Sequence, residues 1–311
     1  EDGRGAAETR APFFVLSFKS ADLLGTDLPG PQPGRSLAKM QDKDFRAYVQ
    51  ELVEQGYTIL PPLLSDDECD EACRELDRLY LLRERGGLEL IFNKATVFER
   101  LYRIEPLLRI VRHFLGADAL LSAMHGSVLQ PGEGKGGLHA DGVITGHNRP
   151  TSMATADAGQ RLTSHVLGLN TIWCLSEFTS MNGATQLTPG SHQHAGPDIP
   201  ADAAERAIIA EAPRGSVIVF NVNTWHGPSE NQTTQPRYAV LNPWRRHWTR
   251  CEYEMAEVVD AGVLERAGEE RLIFGLDAEA PYVERWQWDR KTGAPTPDYA
   301  AGLEPRMRDR G

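Results

Sequence analysis

The sequence predicts a mainly β fold with α-helices on its flanks. From about residue 118 onward, short apolar stretches alternate with Gly, Pro and Asn turn signals. Several short strands separated in this way are typical of a sandwich or a barrel. Before this region, and again over residues 253–275, apolar residues recur at helical spacing. The 29 Gly and 20 Pro of the chain suit a scaffold with many turns.

The N-terminal part divides into an extended arm over residues 1–42 and a helical flank over residues 43–117. The arm is rich in Gly and Pro and includes a predicted edge strand over residues 13–18. In the flank, Gly56 ends the first helix, and Ser65 with Glu68 matches a capping box that starts the second. The predicted elements are a helix over 43–55, a strand over 57–60, a helix from Ser65 and a helix over 103–115.

The β core is predicted over residues 118–250 and is followed by C-terminal helices and a polar tail over 251–311. Residues 142–164 within the core contain few large apolar side chains, so we expect either a substrate lid or a solvated loop there. We interpret residues 1–311 as a single catalytic domain. The predicted strands are 119–130, 166–175, 184–188, 207–211, 216–221 and 237–244.

Charge and composition exclude several functions. The chain has 33 Lys and Arg against 44 Asp and Glu, a net charge of −11. General binding to a nucleic-acid backbone needs a basic surface, so we expect no nucleic-acid partner. No apolar run approaches the ~18 residues of a membrane span, and the N-terminus shows no signal-peptide pattern. Four Cys are too few for a disulfide framework, which favours reduced thiols and a cytoplasmic enzyme.

One metal-binding pattern stands out among the nine histidines. His139 and Asp141 are separated by one residue, so in an extended chain both side chains point to the same side. His226 follows the apolar stretch 215–221 and supplies a second imidazole at the end of a strand. Two His and one carboxylate leave open positions on the metal, which is typical of non-haem Fe(II) oxygenases. Alone, the His-x-Asp tripeptide is more typical of an exposed turn than of a metal site.

Arg237 strengthens this interpretation. Alternation places it on the same face of its strand as Ala239 and Leu241. A buried guanidinium needs an anionic partner, and it can hold a dicarboxylate ligand through two parallel hydrogen bonds. The alternatives are an ion pair with an acidic residue of the protein, or exposure to solvent.

Three segments of the chain resemble the phytanoyl-CoA dioxygenase family of Fe(II)- and 2-oxoglutarate-dependent oxygenases. The resemblance spans roughly residues 43–244, and the Asn-Gly…Pro-Gly-Ser-His run within it is the most specific part. The shared order and spacing of the segments argue against coincidence. The segments are Gln130–Gly132 leading to His139 and Asp141, then Trp173–Glu177 with Asn182–His192, and finally Gly215–Asn221 with His226, Gly227, Asn231 and Arg237.

The resemblance implies a double-stranded β-helix, which is a jelly-roll or cupin-like barrel with helices packed outside. It implies that His139, Asp141 and His226 bind iron, and that Arg237 binds the far carboxylate of 2-oxoglutarate. It also implies O2 as a substrate and succinate and CO2 as products. Trp173 matches a position that lines the co-substrate pocket, and Thr171 and Gln130 are further candidates for co-substrate binding. Ala140 departs from the family, in which Gln is frequent between the ligands.

The predicted reaction is oxidation of an unactivated C–H bond in a small organic molecule. Asp141 favours hydroxylation over halogenation, because halogenases of this superfamily lack the carboxylate ligand. Desaturation, cyclisation, epimerisation and acyl-CoA hydroxylation stay open, although the sequence shows no dense basic cluster for the phosphates of an acyl-CoA. A homodimer is one of the open oligomeric states. Two rival hypotheses are a Zn or Mn barrel enzyme and an inactive barrel that acts as a binding partner.

Overall fold

The computed structural model describes residues 40–142, 163–196 and 198–276, together with the backbone of two short strands at 288–289 and 294–295. The predicted edge strand over 13–18 and nearly all of the candidate lid over 142–164 lie outside the described residues. None of the helices in the described part of the chain has the length and apolar character needed to cross a membrane. The single-domain interpretation of residues 1–311 stays a prediction.

The helical flank follows the sequence prediction closely. The first helix ends at Gly56, which adopts φ 82° and donates its backbone N–H to the Leu52 carbonyl. A Cβ atom at Gly56 would lie 2.4 Å from the His192 ring, so both backbone conformation and space require glycine there. The second helix begins with the predicted capping box of Ser65 and Glu68. The helices are α1 (Asp42–Gln55), α2 (Asp66–Tyr80), α3 (Glu105–Leu115), α4 (Met255–Val258) and α5 (Ala261–Ala267).

The strands of the core form two antiparallel sheets. The large sheet has the order β1-β7-β4-β9, with both β2 and β3 paired to the other edge of β9, and the small sheet has the order β6-β5-β8. A separate hairpin joins the two C-terminal strands. The strands are β1 (Tyr57–Leu60), β2 (Leu120–Leu121), β3 (His125–Leu129), β4 (Gly168–Cys174), β5 (Thr185–Leu187), β6 (Ile208–Ile209), β7 (Val217–Asn221), β8 (His226–Pro228), β9 (Arg237–Arg245), β10 (Trp288–Asp289) and β11 (Ala294–Pro295).

The large sheet buries both of its faces. One face packs against the helices and forms what we call the helix-side core, whose sheet residues include Leu169, Trp173, Val217, Val219, Val240 and Trp244. The other face packs against the small sheet and forms the intersheet core, which includes Ile172, Cys174, Phe178, Leu187, Ile218, Phe220 and Ala239. Because side chains alternate along a strand, β4, β7 and β9 each contribute to both cores.

Two details differ from the sequence prediction. The predicted strand over 119–130 is split into β2 and β3, and the strand β8 was not predicted, because its Gly227-Pro228 pair reads as a turn signal. The described strands form two facing sheets and do not close into a barrel. The coarse prediction of a mainly antiparallel β core with flanking helices is confirmed. The four cysteines have free thiols, as predicted.

Candidate metal centre

His139 and Asp141 lie on an extended segment beside β8. The backbone of His139 pairs with that of His226 through two N–H···O hydrogen bonds of 2.8 Å, and the Asp141 N–H donates to the Val222 carbonyl at 2.9 Å. This pairing keeps the segment extended, so the two side chains point to the same side, as the sequence predicted. The small sheet therefore brings together residues that are distant in the sequence.

His226 is held in one orientation at the start of β8. Its Nδ1 lies 2.9 Å from the Thr224 carbonyl oxygen, and its ring packs against Phe220 with a centroid distance of 4.5 Å. A carbonyl can only accept a hydrogen bond, so Nδ1 carries the proton and Nε2 is the nitrogen left for a metal. The residue is 7 % exposed, which limits other orientations of the ring.

The three predicted ligands converge on one point. One ligand atom from each of His139, Asp141 and His226 lies within 4.8 Å of the others, and within the described ranges this is the one group of three or more His, Cys, Asp or Glu side chains with that geometry. The Asp141 carboxylate oxygens lie 3.3 Å from His226 Nε2 and 3.6 Å from His139 Nε2. A surface turn, the alternative for the tripeptide, does not explain this convergence.

Electrostatics prepare two of these groups for metal binding. Burial, and then the neighbouring His226, lower the pKa of His139, which favours the neutral imidazole. Burial raises the pKa of Asp141, but the hydrogen bond and charge of His226 outweigh it, so the net pKa lies below its ordinary value. A neutral imidazole and an ionised carboxylate are the forms that bind a metal ion.

Arg237 is a buried charge on the intersheet face of β9. It is 5 % exposed, and its guanidinium lies 4.5 Å from the centre of the Phe178 ring. Its Nε atom is buried without a hydrogen bond, and no acidic side chain of the described residues forms an ion pair with it. Burial lowers its pKa to about 10, so it stays protonated at neutral pH. The alternatives of solvent exposure and of an acidic partner within the described chain therefore do not apply.

Thr171 and Trp173, two of the predicted co-substrate residues, lie on the other face of the large sheet. Trp173 belongs to the helix-side core, and the Thr171 hydroxyl donates to the Asn242 carbonyl at 3.1 Å and accepts from Trp244 Nε1 at 3.3 Å. The structure therefore does not bring them to the metal ligands, which argues against a role for either in binding the co-substrate. Gln130 is half-buried and follows Leu129, which pairs with Arg237 in the sheet.

The sequence prediction missed Asn170, one position along β4 from Thr171. Its Nδ2 donates to Asp141 Oδ2 at 2.6 Å, and the residue is 8 % exposed. Because alternation separates Asn170 from Thr171, it lies on the intersheet face. A polar residue in the apolar strand was the available signal, but the sequence did not show which face the metal would occupy.

His192 and His194 form a His-x-His pair, but each has a structural position away from the triad. His192 is 8 % exposed, and its Nε2 lies 3.1 Å from the Val53 carbonyl oxygen of α1. The exposed His194 packs edge-on against Trp225 at a centroid distance of 5.1 Å. These contacts hold the Pro-Gly-Ser-His turn against its neighbours.

Two imidazoles and one carboxylate on an antiparallel β scaffold match the facial-triad arrangement of the non-haem iron class. The chain belongs to the phytanoyl-CoA dioxygenase family, whose model matches residues 52–239. This match confirms the resemblance inferred from the sequence and the enzyme class, a non-haem iron dioxygenase that depends on 2-oxoglutarate.

Two curated proteins and one solved structure illustrate what the chain is similar to. The dioxygenase af480 of Aspergillus fumigatus is 25 % identical over 228 residues, covering 68 % of this chain and 70 % of that protein. The ectoine dioxygenase of Halomonas elongata is 24 % identical over 270 residues, covering 72 % and 78 %. The epimerase SnoN, solved with Fe3+, alpha-ketoglutarate and a nogalamycin compound, superimposes with a TM-score of 0.53 at 15 % identity, covering 67 % and 85 %.

Proposed function

We propose that this protein is an Fe(II)- and 2-oxoglutarate-dependent oxygenase that oxidises a C–H bond of a small organic molecule. The observation on which this proposal rests is the convergence of His139, Asp141 and His226 beside a core in which Arg237 has no acidic partner among the described residues. A Zn or Mn hydrolase would need the triad but would have no use for Arg237.

The three ligands suit iron. Two imidazole nitrogens and one carboxylate oxygen leave coordination positions open for a co-substrate and O2, which a structural metal site would fill with protein ligands. The Thr224 carbonyl holds the His226 ring with Nε2 toward Asp141, so one protein hydrogen bond already selects the tautomer that binds metal. We therefore assign these three residues as the ones that would hold Fe(II).

Arg237 suits the far carboxylate of 2-oxoglutarate. Stacking on Phe178 covers the face of the guanidinium and leaves its N–H edge for a planar anion. The intersheet core connects the two parts of the site, since Phe178 lies under Arg237 and Phe220 packs against His226 within that same cluster. We propose Gln130, at the end of the strand beside Arg237, as an additional polar contact of the co-substrate.

When bound, Fe(II) and 2-oxoglutarate would supply an O2-dependent oxidation that releases succinate and CO2 and breaks a C–H bond of the substrate. The task of the chain is placement: the triad fixes the metal, Arg237 fixes the orientation of the co-substrate, and the apolar walls of the intersheet core exclude water. The sheet arrangement supports a double-stranded β-helix as the scaffold, with the metal ligands contributed from the small-sheet side.

We propose hydroxylation as the outcome, because Asp141 keeps a carboxylate on the metal where a halogenase would bind halide. Desaturation, cyclisation and epimerisation share the step that removes hydrogen, and SnoN is an epimerase with a similar fold. A natural-product or other secondary-metabolite intermediate is the substrate class we propose. The free thiols agree with a cytoplasmic location for this enzyme.

The decisive experiment is anaerobic addition of Fe(II) and then 2-oxoglutarate to the purified chain, followed by visible absorption. We expect a metal-to-ligand charge-transfer band that His226→Ala abolishes. His194→Ala is the matched control, because this exposed histidine lies outside the triad and should leave the band intact. Absence of the band in the wild-type protein, or its persistence in His226→Ala, would overturn the proposal. Succinate formation with a panel of candidate substrates then identifies the substrate and the outcome.

A further inference from the structure

A chain of polar side chains leads from the metal ligand Asp141 toward the surface of the protein. Asn170 Nδ2 donates to Asp141 Oδ2 at 2.6 Å, and Asn170 Oδ1 accepts from Arg245 Nη1 at 3.4 Å. Arg245 Nη2 in turn forms an ion pair with Glu252 Oε1 at 3.1 Å. We propose that Asn170 and Arg245 are positioning residues that fix the Asp141 carboxylate for metal binding. This inference rests on the metal centre of the proposed function.

The amide of Asn170 can satisfy both neighbours in only one orientation. A carboxylate only accepts hydrogen bonds and a guanidinium only donates them. The NH2 group must therefore face Asp141, and the carbonyl oxygen must face Arg245, as the structure shows. Asn170 is 8 % exposed and Arg245 is 2 % exposed, so water does not compete freely for these contacts. Arg245 thus determines the direction in which Asn170 presents its donor.

The Asp141 side chain is the ligand that most needs such support. It is 28 % exposed, and its own segment reaches the small sheet through single backbone contacts and not as part of a long strand. The hydrogen bond from Asn170 engages Oδ2 and restricts rotation of the carboxylate, which lowers the entropy lost when a metal ion is bound. The large sheet, through β4, thereby holds a ligand that belongs to the small-sheet side.

Arg245 is anchored well enough to act in this way. Besides Asn170 and Glu252, its Nη1 donates to the Trp244 carbonyl at 3.0 Å. Glu252 is tied in turn through its backbone N–H, which donates to the Ser122 hydroxyl at 2.7 Å. The guanidinium is therefore held by a backbone carbonyl of β9 and by Glu252 in the segment that follows. The Glu252 carboxylate also balances its charge. Unlike Arg237, Arg245 has an anionic partner among the described residues.

The first test compares Asn170→Leu with Asn242→Leu. Asn242 is also fully buried in the large sheet but faces the helix side, where its Nδ2 donates to the Leu101 carbonyl at 3.5 Å. We measure Co(II) affinity by titration, with the visible d–d bands of Co(II) as a report on coordination. Asn170→Leu should weaken Co(II) binding about 10- to 100-fold and change the bands, as removal of the partner of a metal ligand typically does. Asn242→Leu should do neither.

Equal Co(II) affinity in Asn170→Leu and wild type, or equal weakening by Asn242→Leu, would overturn the inference. Thermal unfolding without metal checks that each variant folds, and Asn170→Ala replaces the leucine variant if the larger side chain prevents folding. A different result would contradict the proposed function: the wild-type chain itself would show no charge-transfer band with Fe(II) and 2-oxoglutarate. If the wild-type chain binds Co(II) and Asn170→Leu binds it equally well, only the positioning role of Asn170 is contradicted.

The second test asks whether Arg245 acts through Asn170. Arg245→Met should weaken Co(II) binding by about 10-fold. Combined with Asn170→Leu, it should add nothing, because the amide that it orients is gone. Arg246→Met is the matched control, since the Arg246 guanidinium donates to the carbonyls of Val166 and Phe114. Additive losses in the double variant, or an equal loss in Arg246→Met, would show that Arg245 does not position Asp141 through Asn170.

Discussion

The two faces of the strand β9 differ in whether they bury a charge. On the helix-side face, the indole N–H of Trp244 finds the hydroxyl of Thr171 at 3.3 Å within the protein. On the intersheet face, Arg237 is equally buried but has no acidic partner among the described residues. One face therefore packs neutral side chains, whereas the other buries a charge whose partner we propose to be a ligand.

An unpaired charge in a core is costly, so its presence is informative. Burying a cation without an anion destabilises the folded state, and a purely structural core would replace it with an apolar residue. Arg245, on the same face as Arg237 but paired with Glu252, shows that this chain can balance a buried guanidinium. The missing partner of Arg237 is therefore best supplied by a bound carboxylate.

Replacement of Arg237 should have the largest effect on this comparison. In Arg237→Met, the affinity for 2-oxoglutarate should fall about 100-fold or more, because a buried charge-assisted pair is lost. The free energy of unfolding without ligand should rise by about 1 kcal/mol, because the uncompensated charge is removed. Calorimetric titration of 2-oxoglutarate into the metal-loaded protein, together with urea unfolding of the free protein, measures both quantities.

Arg246→Met serves as the control for this substitution, because it removes a guanidinium that is bound to backbone carbonyls at the end of the same strand. It should leave 2-oxoglutarate affinity unchanged and lower stability. If Arg237→Met bound 2-oxoglutarate as well as the wild type, or lost stability as Arg246→Met does, the guanidinium would be a structural group.

A substitution of Trp173 on the helix-side face should have the opposite effects: stability falls, and the affinity for 2-oxoglutarate is kept. Trp173 is completely buried, so Trp173→Phe should lower the free energy of unfolding by about 1 to 2 kcal/mol through lost packing. The affinity of the folded protein for 2-oxoglutarate should stay within about 2-fold of wild type, a change of less than 0.5 kcal/mol. Urea unfolding and calorimetry on the same samples test both parts. A large loss of affinity would restore Trp173 to the co-substrate site.

How much of the molecule the sequence predicts depends on whether a feature is set by neighbouring residues or by contacts between distant elements. Local signals located the capping box of Ser65, the helices and most strands, since these depend on neighbouring residues. His139, Asp141 and His226 were recognised as candidate metal ligands because their pattern is rare, and Arg237 as a candidate co-substrate contact because a charge is conspicuous in an apolar strand.

The remaining differences arise from tertiary contacts. Alternation correctly placed Thr171 and Trp173 on one face of β4, but only the pairing of β4 with β7 and β9, and the side on which the helices pack, determine which face that is. Asn170 is a neutral amide, and its role depends on partners 29 and 75 positions away. Register of this kind is set by the assembled sheets and not by local sequence.

The smallest expected effect on stability concerns His125, a histidine at the rim of the intersheet face. His125, on β3, lies 2.5 Å from Glu89 and 3.4 Å from Glu252, so this histidine has acidic partners, whereas Arg237 has none in the part of the chain that the structure describes. Burial opposes protonation, but the hydrogen bonds and charges of Glu252 and Glu89 prevail and raise the pKa of His125. Folding therefore favours the protonated form.

The sign of the pH dependence follows from this shift. The contribution of His125 to stability is complete below the pKa of the unfolded state, about 6.5, and is lost as the pH rises through the higher pKa of the folded state. The partners are partly exposed, so the effect should be below about 1 kcal/mol. We expect the stability difference between wild type and His125→Gln, measured by urea unfolding, to be larger at about pH 5.5 than at about pH 8.5. A difference that stays constant or grows with pH would contradict the pairing of this rim histidine.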